Sequence, residues 1–338
     1  MSNPIVTGLL SYGMSGRIFH APFLTTNPGF KLKAVVERHA KKMAADYQDI
    51  TSYESIDALL NYDEIELVII NTPNYTHFDF AKQALLAGKH VLIEKPAAAN
   101  SAEVKELYDL AKSSGLHLMV YQNRRWDSDF LAVKEIIESG KLGRLTEIHF
   151  RFDRYKPILS PKPFKETANT VANGLVYDLG PHIIDQAMLL FGRPQSFNKV
   201  TAAQREGSLV IDYFNFQLNY PQQLKVFLTG GLLIPEPLPS FVIHGTLGSF
   251  IKNRCDVQEM QLDAGMSPLD AKYGQEPDGS EGKLVTIGPD DQKSIAWIAS
   301  PKGNYRHLFD AVYHSIRNNA LYPITEEHIS WQIELIEA

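Results

Sequence analysis

The sequence predicts an α/β protein: an N-terminal Rossmann domain with a parallel sheet, then a C-terminal α+β domain with a large, mainly antiparallel sheet. Three observations carry this. Short apolar runs alternate with helical patterns through the first third of the chain. A glycine-containing turn directly follows the first of those runs. After about residue 144 the pattern changes to consecutive period-two stretches separated by turn residues. Strand–helix alternation builds parallel sheets with helices on both faces, whereas short turns join antiparallel neighbours.

Residues 4–10 read as the first strand, followed by Ser11-Tyr12-Gly13-Met14-Ser15-Gly16 and a helix. Residues 31–36, 66–71, 90–93 and 116–121 are further strands, with helical spacing at 55–60 and 77–87. Asn100 or Ser101 caps a helix whose Val104, Leu107, Leu110 and Ala111 form one stripe, and Gly115 ends it. A boundary after residue 122 divides the chain into a dinucleotide-binding domain, 1–122, and a substrate-binding and oligomerisation domain, 123–338. In the second, 127–139 is helical, with Phe130, Val133 and Ile137 on one face. Residues 145–154 alternate with period two, and 196–204, 210–218, 224–233 and 241–246 are strand-like. Residues 264–281 read as a long loop. Helices at about 304–319 and 325–337 are expected to pack back on the first domain.

Composition agrees with two folded domains. The chain has 338 residues, 44% hydrophobic and 21% charged, which excludes a disordered, collagen-like or coiled-coil chain. A net charge of −6 argues against a nucleic-acid partner or an anionic membrane surface. Apolar runs such as Leu67-Val68-Ile69-Ile70 fall far short of the roughly 20 residues a membrane helix needs. Met1-Ser2-Asn3-Pro4 lacks the basic stretch of a secretory signal, so a cytoplasmic protein is expected. Cys255, the single cysteine, makes neither an intramolecular disulfide nor a CxxC metal site.

Five strings carry candidate chemistry. The turn at residues 11–16 follows a strand and opens a helix, the context in which G-x-G-x-x-G binds a dinucleotide. Gly13 lets the backbone approach a pyrophosphate, Met14 and Ser15 complete the turn, and Gly16 allows close helix–strand packing. The phosphates would sit on the helix N-terminus. Ser11 stands where the first glycine is usual. Glu37 follows the turn by about 20 residues and can accept ribose hydroxyls, which favours NAD. Its neighbour Arg38 suits a 2′-phosphate, which favours NADP. The choice between NAD and NADP stays open.

The third string, residues 71–77, ends a central strand, where open α/β sheets bind ligands. Thr72, Pro73, Asn74 and His77 are cofactor candidates there. The fourth, Glu94-Lys95-Pro96, ends the next strand. A lysine at that place faces the cleft and can stabilise a developing alkoxide. The fifth runs from Tyr177 to His182. Asp178 and His182 share a face if one helix runs through both, although Pro181 marks a helix start between them. Histidine is the usual general acid/base near neutral pH. Asp178 either binds a substrate hydroxyl or orients the lysine. An N-capping aspartate beside a structural histidine is the plain alternative.

Together, Ser-Tyr-Gly-Met-Ser-Gly, Thr-Pro-Asn-x-x-His, Glu-Lys-Pro and Asp-x-x-x-His resemble the Gfo/Idh/MocA oxidoreductase family over nearly the whole chain. Phe19-His20-Ala21-Pro22 and Asn123-Arg124-Arg125-Trp126-Asp127 resemble its NADP-dependent scyllo-inositol dehydrogenase-like subgroup. The resemblance implies hydride transfer between NAD or NADP and a secondary alcohol or ketone of a cyclic polyol or sugar. Lys95 would polarise the reacting oxygen, His182 would exchange the hydroxyl proton, and Asp178 would hold hydroxyls. Asn123 and Arg124 would lie near nicotinamide and substrate, with Glu94 on the cofactor side. Asp153, Arg154 and Tyr155 complete the substrate-binding candidates. No metal is called for, because Lys95 takes the place of a Lewis acid. A homodimer or higher homo-oligomer through the C-terminal sheet is implied. The alternatives are a dinucleotide sensor without turnover, or a reductase of dihydrodiols, tetrapyrroles or imino acids on the same scaffold. The pattern is still helical at Ala338, and relatives often carry a further short strand, which leaves a truncation open.

Overall fold

The computed structural model describes residues 3–38, 40–167 and 170–338; Met1, Ser2, His39, Ala168 and Asn169 lie outside the described residues. The first sheet holds β1 (Ile5–Leu9), β2 (Phe30–Val36), β3 (Thr51–Tyr53), β4 (Leu67–Ile70), β5 (His90–Glu94) and β6 (Leu118–Tyr121). Their order is β3-β2-β1-β4-β5-β6, and every pair is parallel. The winding direction reverses between β1 and β4, which opens a crevice at their carboxyl ends. β4 is buried along its whole length, as a strand covered on both faces must be. β3 gave no sequence signal: it is three residues long and none of them is buried.

The helices of this half are α1 (Ala21–Thr26), α2 (Met43–Asp46), α3 (Ile56–Leu60), α4 (His77–Leu86) and α5 (Ser101–Ser113). The helix expected after the glycine turn begins as a π-helical turn, Gly16–His20, that runs into α1. Pro22 has no N–H to give to the ladder, and just before it the Ala21 N–H reaches back five residues to the Gly16 carbonyl. α5 is capped reciprocally. The Asn100 side chain accepts the Glu103 N–H, while the Glu103 carboxylate takes the Ala99 N–H and the Asn100 amide.

The second half contains α6 (Ser128–Glu138), β7 (Leu145–Asp153), α7 (Leu175–Asp178), α8 (Gly180–Phe191), β8 (Ser196–Ala202), β9 (Tyr213–Asn219), β10 (Lys225–Gly231), β11 (Phe241–Gly245), β12 (Gly248–Lys252), α9 (Gln258–Asp263), β13 (Gly282–Ile287), β14 (Lys293–Ile298), α10 (Arg306–Asn318) and α11 (Glu326–Glu337). Eight strands form a sheet in the order β14-β13-β12-β11-β7-β10-β9-β8. β7 and β10 run parallel, and the other pairs are antiparallel. β12, β13 and β14 were not legible in the sequence. Along β14 the apolar run Ile295-Ala296-Trp297 is exposed, Ile295 and Trp297 by about two-thirds, so no inside–outside alternation marks the strand.

Phe150, Phe214, Phe216 and Phe241 of the sheet share one core with Ile183, Ile184 and Ala187 of α8. α8 is buried from Gly180 to Met188. Arg125 clamps it to the end of β6: Nε and Nη2 donate to the two Asp185 carboxylate oxygens, both at 2.7 Å. α10 lies on the first sheet, where Phe309 stacks on Phe23 at 5.0 Å and meets Phe30 edge-on. Among the described residues no helix is long and apolar enough to cross a membrane.

Candidate active site

The glycine turn is tied to the end of β4. The Ser11 N–H donates to the Asn71 side-chain oxygen at 3.0 Å, and the Ser11 hydroxyl donates to the Asn71 carbonyl at 2.9 Å. The Asn71 amide returns a bond to the Ser11 carbonyl at 2.8 Å. Ser11 thus holds the turn through its side chain where a glycine would depend on backbone alone. A Cβ on Gly16 would stand 2.3 Å from the Ser11 carbonyl oxygen, so only glycine fits there. A Cβ on Gly13 would meet nothing within 4 Å. Gly13, Met14 and Ser15 line a cleft of about 790 Å³. This bare, tightly wound cradle at the switch point fits a dinucleotide pyrophosphate. Gly16→Ala is expected to cost about 1–3 kcal/mol of stability and to weaken NADPH binding. A melting curve and an NADPH titration on the variant check both.

Thr72, Pro73 and Asn74 line the same cleft from the end of β4. The opposite wall comes from the connection between β7 and α7, with Arg154, Lys156, Phe164, Lys165 and Ala172 among its residues. The Asn74 amide bonds the Ala172 carbonyl at 3.1 Å, and Tyr75 meets Phe164 at 6.0 Å, so this connection reaches across to the first sheet.

Asp178 lies on the cleft wall, and Lys95 reaches it from the end of β5. Lys95 Nζ donates to the Asp178 carbonyl at 2.6 Å and lies 3.5 Å from its carboxylate. Asp178 ends α7, and His182 lies in the first turn of α8. The single helix that would align them breaks at Leu179, so the two residues lie in successive segments. Partial burial opposes ionisation of Asp178, but Lys95, Lys165 and Arg154 hold its carboxyl below the usual range. Burial drives the His182 pKa well down, and Lys95, Arg124, Arg254 and Arg154 push it the same way. His182 is therefore a neutral imidazole, and its Nδ1 has no hydrogen-bond partner among the described residues.

Two families of sequence match the two halves. One, described as an oxidoreductase family with an NAD-binding Rossmann fold, matches residues 6–122; the other, the GFO/IDH/MocA C-terminal domain, matches residues 130–251. The chain belongs to the Gfo/Idh/MocA family. Among its relatives, scyllo-inositol 2-dehydrogenase (NADP(+)) IolW of Bacillus subtilis is 37% identical, over 99% of this chain and 92% of that one. An uncharacterized oxidoreductase of Escherichia coli, YdgJ, is 35% identical, over 100% and 96%. The solved structure of the Bacillus subtilis oxidoreductase YvaA superposes with a TM-score of 0.93 at 36% identity, over 99% and 96%.

In this Gfo/Idh/MocA oxidoreductase, several residues expected at the site take other roles. Glu37 is 7% exposed: Oε1 accepts the N–H groups of Lys42 and Met43, and Oε2 takes the Ser52 hydroxyl at 2.6 Å. Both oxygens are spent on the start of α2 and on β3, so Glu37 does not offer itself to a ribose, while Arg38 stands exposed beside it. His77 is fully buried between the Pro96 and Thr72 carbonyls, at 2.7 and 2.9 Å, and pins two loops from below. Asp153 falls on the opposite face of β7 from Phe152, where its carboxylate takes the Arg151 Nε at 2.7 Å. Tyr155 is 59% exposed and points away from the cleft that Arg154 and Lys156 line. Arg124 is committed to Asp127 at 3.2 Å and Glu259 at 2.9 Å. Asn123 is buried at the start of its turn.

Glu94, expected on the cofactor side, joins a network with His20, which like Phe152 was not picked out as a site residue from the sequence. Glu94 accepts the Ser15 hydroxyl at 2.6 Å and pairs with His20 at 2.8 Å, joining the glycine turn to the residue before Lys95. Burial pushes the Glu94 carboxyl up, but His20 and Ser15 together hold it below the usual range. His20 appeared only within the Phe-His-Ala-Pro string, which carries no periodic signal. Phe152 lies 6.1 Å from His182 and packs under Arg124, Arg154 and Arg254. Its inward place on β7 was the available signal.

Proposed function

We propose that this enzyme is an NADP-dependent dehydrogenase acting on a secondary alcohol of an inositol-like cyclic polyol or a sugar. The observation that carries the reading is the Lys95 ammonium held on Asp178, which lines the cleft beside the glycine turn, with the neutral His182 in the field of that ammonium. Similarity to an NADP-dependent scyllo-inositol dehydrogenase supports the substrate class. The spent Glu37 and the exposed Arg38, with Lys41 and Lys42 following, support NADP over NAD.

A nicotinamide bound in this cleft supplies the hydride acceptor. The rest falls to the chain. His182, neutral and partnerless at Nδ1, takes the hydroxyl proton. The Lys95 ammonium, held by the Asp178 carbonyl, stabilises the oxygen as negative charge gathers on it. Asp178 accepts neighbouring hydroxyls. Asn123 and Arg124 support the floor beneath them, and a symmetric oligomer through the second sheet is the expected assembly.

The test is a spectrophotometric screen of purified protein with NAD or NADP against inositol isomers, aldoses and aldonolactones. Turnover of a cyclic polyol or sugar, with NADP preferred, is expected. Arg38→Ala should raise the KM for NADP about tenfold, the worth of one charge-assisted contact, and barely change that for NAD. Absence of turnover across the panel overturns the substrate class, and an equal effect on both cofactors overturns the role of Arg38.

A further inference from the structure

We propose that the substrate carries an anionic group, a carboxylate or a phosphate ester, held by Arg154 and Lys165. This deepens the dehydrogenase reading and rests on it for the identity of the site. The argument is one of unbalanced charge. The cleft wall facing the glycine turn carries Arg154, Lys156, Lys162 and Lys165. Arg205 is also there but is neutralised, 3.0 Å from both Glu166 and Asp212. Asp178 already faces Lys95. Behind the wall, Arg124 and Arg254 have Asp127, Asp129 and Glu259 as counterparts. Among the described residues, none of the four wall cations is within ion-pair distance of a carboxylate, and the Asp178 carboxylate in the field of Arg154 and Lys165 is the one Lys95 touches.

Two of the four stand at the catalytic end. The Arg154 guanidinium lies 5.1 Å from the centroid of the Phe152 ring, and that ring is 6.1 Å from His182. Arg154 and Lys165 both act on the Asp178 carboxylate, which Lys95 touches. Seated on an aromatic face, the Arg154 guanidinium keeps its planar fork of N–H donors free for a two-oxygen acceptor. A neutral polyol would satisfy Asp178 and His182 without using this surplus. The dinucleotide phosphates have seats elsewhere, at the Gly13–Gly16 turn and beside Arg38 at the end of β2.

The test titrates NADPH-loaded enzyme with D-glucuronate, D-glucose 6-phosphate and D-glucose, following nicotinamide fluorescence. At least one anion is expected to bind about tenfold to a hundredfold more tightly than glucose, with a gap that narrows as salt is added. The gap should collapse in Arg154→Gln and Lys165→Gln and partly return in Arg154→Lys. Equal binding of acid and neutral sugar, or binding of neither, overturns the proposal. So does a variant that loosens NADPH while keeping the preference for the anion, because the cations then serve the cofactor. Anion-selective binding without turnover of any polyol or sugar, charged or neutral, upholds the anion site and overturns the dehydrogenase reading. Turnover of inositols without anion preference does the reverse.

Discussion

Replacing Lys95 with alanine is expected to lower kcat by about 10²–10³, the usual loss when one preorganised donor to a developing oxyanion is removed. NADPH affinity should stay within a small factor. The two effects separate because of where the side chain goes. Lys95 Nζ reaches the second half of the molecule and bonds the Asp178 carbonyl. The contact with the glycine turn is made by its neighbour Glu94, through Ser15. An alanine at residue 95 keeps that backbone and the Ser15–Glu94–His20 chain while deleting the cation proposed to stabilise the reacting oxygen. Single-turnover rates and an NADPH titration on the same preparation test this. An unchanged kcat, or a loss entirely in cofactor affinity, would overturn the role given to Lys95.

His182→Asn should cost about 10²–10⁴ in alcohol oxidation, the range for loss of a positioned general base. It should also change the pH profile. Burial and the surrounding cations depress the His182 pKa, so the imidazole is unprotonated throughout the neutral range. Oxidation needs that free base. In the wild type kcat/KM should stay level from slightly alkaline pH through neutrality. It should fall only well below about pH 6.5, the ordinary histidine value, as His182 takes up a proton. Carbonyl reduction needs the protonated form and should gain as pH drops. The acid limb should vanish in His182→Asn. A limb above pH 6.5 in the wild type, or one that survives the substitution, would sink the assignment.

Much of this was legible in the sequence, for identifiable reasons. The parallel sheet announces itself because the central strands are covered on both faces: β4 is apolar throughout, and β1 and β5 are largely buried apolar runs. Lys95 was singled out because it stands at the carboxyl end of β5, and His182 because it lies in the first turn of α8. The misplacements share a cause: residue type and position do not show what a side chain is already bonded to. Glu37 and His77 have the right chemistry at the right strand ends, but Glu37 is bonded by two backbone N–H groups and the Ser52 hydroxyl, and His77 by two carbonyls. Asp153 and Arg154 are neighbours, and the strand pleat sends only one into the cleft. The connection after β7 that supplies Arg154, Lys156 and Lys165 carries no period in the sequence, and only the fold shows that these residues face the glycine turn.

The position of α10 bears on how such enzymes exchange parts. Leu308, Phe309, Val312 and Tyr313 complete the apolar layer over the first sheet, against Phe23 and Phe30. The nucleotide-binding half is therefore discontinuous along the chain. A chimera that joins residues 1–122 to a foreign C-terminal half strips away those four side chains and leaves two phenylalanines facing water. Grafting a new cofactor module between relatives requires two crossovers, one near residue 122 and one bracketing α10, so that the module travels with its own cover.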